Sequence, residues 1–570
     1  MYDVAICGAG LAGLSLARQL RLEQPDLSVA LLDRRTGPLP VSAWKVGEST
    51  VEYAAHYFAD YLQLGDLFGR TQLRKLGLRF FYPSDQGFAH RPELGLSGFP
   101  GTAASYQIDR GILENDLREM AREDDTVFLE GARVGAIDIG AGDNPHTVQY
   151  TLPDGSKHDL QCRWLVDASG RRQLLQNQLK LRRPPVGHPT SSAWFRLEGR
   201  IDVDDLVPAS DTGWQERVAD RRRYFSTNHL VGAGYWVWII PLSGGATSIG
   251  IVARNDLHPY TEYRTYAKSL EWLGRHEPEL ARLIDGKTPL DFKGIETFSY
   301  SSEEVISPDR WSCVGEAGLF ADPYYSPGSD LIGLANILTA DLIRRDAAGD
   351  HDPQRVAGHS RYLISLCSQL TQATQDAMPY LGDEMVSLAR TVWDTAAAWG
   401  SFCPPLFNRL YDDPARSRRV AGGQAVPLFL LSGRMRAVFD QWLALRAQGR
   451  GHLSFGFFDY LGQNWLFAHR QANLRRIDDD AELSDQARAN AAFFEDLAGA
   501  LFLLAVEDVF PEEMHRFANR PAMDLKALTL QPADWNKVIK SDRGRDKIYE
   551  IYSEIRSCLV AGRDRGQNGQ

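Results

Sequence analysis

Cysteine is scarce and shows no pairing pattern: the 570 residues hold six, Cys7, Cys162, Cys313, Cys367, Cys403 and Cys558, with no CxxC pair and no metal-ligand spacing. Their mostly apolar neighbours predict buried, reduced thiols and exclude a disulfide framework or a structural zinc site, so no metal is expected. Long runs of one charge are also missing. Lys+Arg number 63 against Asp+Glu 74, a formal net charge of -11, which leaves no basic stripe for a phosphate backbone and no expectation of a nucleic acid partner. The N-terminus enters a strand at once, without the basic region and apolar run of an export signal. The longest uncharged apolar run, LAGALFLLAV at 497–506, is too short to cross a bilayer. A cytoplasmic protein with no integral membrane segment is expected. Internal repeats and low-complexity linkers are lacking too, apart from a polar tail, GRDRGQNGQ.

What is there is ordinary in bulk, with 44% hydrophobic and 24% charged residues, and specific in pattern. The length exceeds what one core usually fills, so two or more subdomains are expected, interleaved rather than consecutive. YDVAICGAGLAGLSLARQL opens with a continuous apolar strand, passes through Gly8, Gly10 and Gly13, and enters a helix; SVALLD then forms a second strand ending in Asp33. This is a complete βαβ unit. Gly8 permits the tight turn, Gly10 lets a pyrophosphate approach the backbone, Gly13 lets helix and strand pack, and Asp33 can hold a ribose hydroxyl. By itself the unit fits NAD or FAD.

Two later strands end in similar turns, CRWLVDASGRR at Asp167 and Gly170, and RWSCVGEAGLFADP at Gly315 and Glu316. Both resemble the second and third nucleotide signatures of the glutathione-reductase-like FAD proteins, in particular the flavin monooxygenase branch. The resemblance implies FAD. It also implies flavin contacts for Arg110, in SYQIDRGILENDL, for Glu316, where that branch has an aspartate, and for Asp322 and Gly328 after the third signature. A second reading of Arg110 is a first-turn helix residue following Asp109 as cap.

The stretch GLFADPYYSPGSDLIG, with two prolines and three glycines, runs directly into the apolar spacing of a helix. A rigid approach to a helix N-terminus suits an anion, because the first backbone N–H groups are free and the helix dipole is positive there. A reduced, deprotonated flavin is one such anion. The spacing Phe320, Pro323, Ser326, Gly328 reads F-x-x-P-x-x-S-x-G, and upstream GYWVWIIPL places Trp236, Trp238, Ile240 and Pro241 as W-x-W-x-I-P. Together these motifs resemble the flavin-dependent halogenases. On that resemblance chloride or bromide is a second anion, held near Ser326, Pro327 and Gly328, and the two tryptophans are wall residues. Their alternative reading is the packing of a sheet face by alternating large residues.

The same family directs hypohalous acid to its substrate with a lysine. Lys45, in SAWKVGESTVEYAAHYF, and Lys75, in TQLRKLGLRFFY, compete for that role. Val46, Glu48 and Ser49 resemble the family's flavin-contacting loop, and Lys75 ahead of Gly77 and Phe80 matches the lysine landmark, so Lys75 is the candidate catalytic residue. The bland reading of either is a solvated lysine. Two departures stand out: Tyr325 replaces the glutamate of the tryptophan halogenases, and Pro327 replaces a threonine and removes a backbone N–H from the halide turn.

The expected fold is α/β: a glutathione-reductase-like FAD-binding fold, discontinuous over 1–185 and 300–345, an inserted substrate-side β-sheet over 186–299, and a helical C-terminal domain over 346–570. TVQYTLPDGSKHDLQC reads as a hairpin, SSAWFRLEG and ATSIGIVAR as strands. In the helical part AVPLFLLSGRMRAVFDQWLAL reads as a core-facing helix or as a surface for a membrane or a carrier protein, and AWGSFCPPLFNRLYDDP, rich in loop formers, is a candidate for shaping a substrate pocket. The resemblance implies FADH2- and O2-dependent halogenation of an electron-rich aromatic or heteroaromatic, free or carrier-tethered, with FADH2 supplied by a separate flavin reductase. A flavin monooxygenase or dehydrogenase that ignores halide is the alternative, and a non-catalytic FAD-binding protein docked through its helical third is a third reading.

Overall fold

The computed structural model describes residues 1–42, 44–101, 104–185, 187–421 and 425–561. Its first sheet follows from the leading βαβ unit. Strand β1 (Tyr2–Cys7) leads through the glycine turn into α1 (Leu11–Glu23) and back to β2 (Val29–Asp33). Val4 to Cys7 are at most 1% exposed, because helices or strands cover both faces of a parallel sheet, and that two-sided burial is why the strand reads as an unbroken apolar run. The order along the sheet is Ile306–Ser307, Trp311–Cys313, Lys157–Asp167, β1, β2, Val127–Glu130, and β1 is parallel to both of its neighbours, with Val4 opposite Trp164 and Val29. His146–Thr151 and Lys157–Asp167 form the expected hairpin, closed by Gly155 at φ 85°. Helix α1 packs against both α2 (Arg110–Glu123) and α3 (Gly328–Ala347), and Asn336 of α3 donates to Ser15 Oγ at 2.9 Å.

The second sheet has eight strands in the order Pro289–Ile295, Thr190–Glu198, Ala246–Arg254, Tyr235–Pro241, Thr227–Gly232, Leu78–Phe81, Glu93–Gly95, Phe457–Asp459. Leu78–Phe81 and Glu93–Gly95 come from the N-terminal part and Phe457–Asp459 from the helical part, so all three stretches of chain meet in one sheet. We call Leu78–Phe81 β3, Thr227–Gly232 β4 and Tyr235–Pro241 β5. The pair β4–β5 is an antiparallel hairpin with His229 opposite Trp238, and β3 runs parallel to β4 with Phe80 opposite His229.

In the helical part α4 (Asp480–Val509) is central, packed against Ala425–Ala447 and Asp546–Ser557. By length and composition α4 could cross a membrane; its apolar window is 72% buried inside the fold, which is the pattern of a core helix. Ala425–Ala447 buries Met435, Val438, Phe439 and Trp442 and leaves Phe429 and Leu430 exposed. Five of the six cysteines are buried, Cys558 is half-buried, and all six are free thiols.

Candidate active site

The glycine turn is shaped by what cannot fit there. Gly8 has φ 124°, and a Cβ on it would collide with the Ala168 carbonyl; a Cβ on Gly13 would collide with the Gly8 carbonyl. Gly10 is different. Its nearest neighbour to an added Cβ is Lys45 Nζ at 4.0 Å, so the first N–H groups of α1 open into free space, as a bound diphosphate requires. Asp33 ends β2 with Oδ1 accepting from Arg35 N at 2.9 Å and Oδ2 paired with Arg118 at 3.2 Å.

The loop Val46–Thr50 lies between the two sheets and is pinned from both. Glu48 is buried and takes Arg196 Nε at 2.8 Å, and Arg196 in turn reaches Asp291 at 2.7 Å. Arg110 holds Glu114 at 2.6 Å and donates to the Val46 carbonyl. Lys45, half-exposed, pairs with the same Glu114, so it serves the glycine-turn side of the loop. A buried ion pair contributes little net stability but fixes geometry, since removing either partner strands a charge. Glu48 and Arg110 therefore set the shape of this loop.

Lys75 ends the short strand Leu73–Lys75 and is only 2% exposed, which excludes the solvated reading. Its Nζ donates to Ser49 Oγ at 2.7 Å and to the Thr50 carbonyl at 2.7 Å. Ser326 Oγ donates to the same Ser49 oxygen at 3.0 Å. The expected halide turn and the candidate lysine are thus one hydroxyl apart. No carboxylate among the described residues lies within ion-pair distance of Lys75, and burial lowers its pKa to about 7, with Glu52 and Asp330 opposing that shift. A neutral amine has two N–H donors, which these two acceptors can satisfy, and its remaining tetrahedral position carries the lone pair.

The turn expected to hold halide is itself held tightly. Ser326 adopts φ 62°, unusual for a non-glycine residue, and its N–H is spent on the Pro323 carbonyl at 2.9 Å. Pro327 offers no N–H, and α3 starts at Gly328 without a side-chain cap, leaving the Gly328 and Ser329 N–H groups as donors. Nothing would obstruct a Cβ on Gly328, so there is room beside it. Tyr325 points the other way: its hydroxyl donates to Asp394 at 3.1 Å, which is ion-paired with Arg390 at 2.7 Å.

A cavity borders several of these parts, lined among others by Val46, Ser49, Arg110, Glu316, Ser326 and Gly328. Trp236, Trp238, Phe320 and Pro323 line it as well, so the wall tryptophans both pack the sheet face and border the cavity. Trp238 Nε1 donates to Ser248 at 3.1 Å, whereas Trp236 Nε1 has no partner among the described residues. Burial raises the Glu316 pKa, opposed by Arg171 and Arg110, and Arg171 Nη1 is likewise unpartnered. Orphaned donors beside a cavity suit a ligand with carbonyl and phosphate oxygens. Of the sequence candidates, Gly8, Gly10, Gly13, Asp33, Lys75, Pro241, Asp322 and Pro327 are not among the lining residues: Asp322, buried with a pKa raised to about 7, accepts from Tyr324 N at 3.2 Å, and Pro241 closes β5 opposite Thr247. No residue beyond Ile332 lines the cavity among those described; in the loop-former stretch Phe402 stacks on Tyr53 at 4.2 Å and Phe407 on His56 at 4.0 Å instead.

Among the lining residues that escaped the sequence reading are His229 and Thr227. His229 is buried, with Nδ1 donating to the Arg79 carbonyl at 3.1 Å, and burial drives its pKa down to about 3, so the ring is neutral. Thr227 takes part in the Ser49 hydrogen-bond network at 2.9 Å. The available signal was their position on β4, as the third and first residues of the strand that pairs with the tryptophan strand, which only pairing could turn into proximity.

Residues 6–71 match the model of an NAD(P)-binding Rossmann-like domain. A flavin-dependent halogenase of Dictyostelium discoideum is 26% identical over 442 residues, 72% of this chain and 71% of that one. A brominase of Pseudoalteromonas luteoviolacea that acts on pyrrole-2-carbonyl groups on a peptidyl carrier protein is 24% identical over 371 residues, 61% of this chain and 79% of that one. The crystal structure of halogenase PltM with phloroglucinol and FAD superimposes with a TM-score of 0.61 at 17% identity, covering 87% of this chain and 96% of that one. The fold and the relatives define a flavoprotein oxidoreductase with a Rossmann-like dinucleotide half and a helical C-terminal region. Within that class the chain is similar to the flavin-dependent halogenases.

Proposed function

We propose that this enzyme binds FADH2 delivered by a separate flavin reductase and halogenates an electron-rich aromatic or heteroaromatic, free or carrier-tethered, with chloride or bromide. The observation that carries the reading is the chain Ser326–Ser49–Lys75, which joins an anion-suited helix terminus to a buried lysine through one oxygen. The residues of the glycine turn and the Val46–Thr50 loop fit FAD, with the open Gly10 facing the diphosphate and the loop facing the ring. When bound and reduced, the cofactor supplies with dioxygen the oxidising equivalents that turn halide into hypohalous acid. Gly328 and Ser329 N–H groups hold the halide. Lys75 receives the hypohalous acid at its remaining tetrahedral position, and the buried aromatic wall of Trp236, Trp238 and Tyr324 keeps bulk water and substrate off the flavin side. The buried free thiols support a reducing, cytoplasmic setting.

The alternative, a flavin enzyme that ignores halide, draws its support from Pro327, which costs the turn one donor. One experiment separates the two. The FAD-loaded protein is reduced without oxygen, mixed with oxygenated chloride or bromide, and assayed for trapped hypohalous acid. Halide-dependent trapping above free-flavin controls is expected; oxygen consumption that does not respond to halide would transfer the assignment to the monooxygenase class.

A further inference from the structure

Ser49 sits where three elements meet, and its hydrogen bonds can be counted. Its oxygen accepts from Lys75 Nζ at 2.7 Å and from Ser326 Oγ at 3.0 Å, which uses both lone pairs. Its own proton must then go to the remaining neighbour, Thr227 Oγ1, at 2.9 Å. Thr227 is held in turn by the Gln107 amide, from Nε2 at 2.9 Å and to Oε1 at 3.2 Å. Ser49, Lys75, Gln107 and Thr227 are buried, and Ser326 is half-buried. A fully satisfied buried network adopts one arrangement, and a change at one member is felt at the others.

We infer that Ser49 is the positioning residue that aims the Lys75 amine and couples it to the halide turn, with Thr227 and Gln107 fixing the direction of its hydroxyl. The inference rests on the function proposed above and deepens it. Ser49 touches no substrate in this role. It orients the lysine beside the half-buried Ser326 hydroxyl that it also binds, and as an acceptor it stabilises the ammonium form relative to the amine. The other ionisable groups around Lys75 are Glu52 at the start of the helix Glu52–His56, Asp330 in the first turn of α3 and His229 on β4; Glu52 and Asp330 favour the ammonium, and neutral His229 adds no charge. Among the neutral contacts, Ser49 is the one whose side chain can be deleted.

The test reads Lys75 directly. In apo-protein labelled with 13Cε-lysine, the Lys75 signal is assigned by its loss in Lys75→Met and titrated in wild type and Ser49→Ala. Loss of the acceptor is expected to lower the titration midpoint by about one pH unit, since a hydrogen bond to a charged donor contributes about 1.5–3 kcal/mol. Ser49→Thr, which keeps the hydroxyl, is expected to restore the midpoint. In parallel, halogenated product per trapped hypohalous acid should fall at least tenfold in Ser49→Ala, with its pH profile moved down by the same interval. Should the alanine variant not fold, Ser49→Cys, close in size with a weak acceptor, carries the same expectation. An unchanged midpoint together with an unchanged product ratio overturns the inference. Absence of hypohalous acid from the wild type would instead overturn the proposed function, while the titration still decides the role of Ser49.

Discussion

Two helices of this protein, α1 and α3, lean on each other through Asn336, yet their N-termini are built by opposite means. At α1 the approach is made of glycines, two of which tolerate no Cβ, so what binds there meets backbone alone. At α3 the approach is made of Pro323, Tyr325, Ser326 and Pro327, with Ser326 in a left-handed conformation and side chains bonded outward to Ser49 and Asp394. The first end is suited to a large, extended anion whose place is set by shape. The second is suited to a small anion whose place is set by side chains, and those side chains tie it to a lysine.

The contrast breaks most completely at the first end. Gly13→Val should leave no flavin-loaded protein, because the added side chain meets the Gly8 carbonyl with no flexible partner to yield; bound flavin per chain and thermal melting would register this, and a variant with normal flavin content would refute the packing argument.

Lys75→Met should split two properties. Halogenated product should fall by about 10²-fold or more while trapped hypohalous acid persists. Stability should rise, since keeping Lys75 at a folded pKa near 7 against about 10.4 unfolded costs on the order of 4 kcal/mol at neutral pH. The unfolded chain binds the extra proton between those values, so wild-type stability increases from pH 7 toward pH 10, and the variant should lose that slope in denaturant titrations. Equal slopes would show that the lysine is not buried as described.

His229 gives the opposite limb of the pH profile. Its folded pKa is near 3 against about 6.5 unfolded, so it favours unfolding as pH falls from 6.5 toward 3. His229→Gln should soften acid unfolding over that window without moving the alkaline limb, a difference visible in melting temperatures at pH 4 to 6.

The smallest effect sharpens the comparison at the second end. Pro327→Ala returns one N–H to the turn, and the halide KM should drop about two- to fivefold with little change in kcat. A KM that does not move would place the halide away from this helix terminus.

Much of the first end was legible in the residue order, because a glycine turn between two strands depends on neighbours a few positions apart. Lys75, Ser326 and the tryptophans were identifiable as candidates by spacing and resemblance. The separation of Lys75 from Lys45 was not visible in composition, as both look like solvated lysines; the strand pairing Leu73–Lys75 with Ser105–Gln107 buries one and leaves the other half-exposed beside Glu114. Likewise 186–299 reads as a run of strands, but nothing local announces that β3, Glu93–Gly95 and Phe457–Asp459 complete the sheet.

The sequence by itself determined the βαβ unit, the helix that follows the Pro-rich turn and the identity of the groups capable of holding anions, since each rests on sterics and hydrogen bonding within a few residues. Only the tertiary structure decided that Ser49, Lys75, Thr227 and Ser326 share one hydrogen-bond network. Those residues lie on four segments up to 277 positions apart, and their proximity is produced by sheet pairing and core burial, which act across the whole chain.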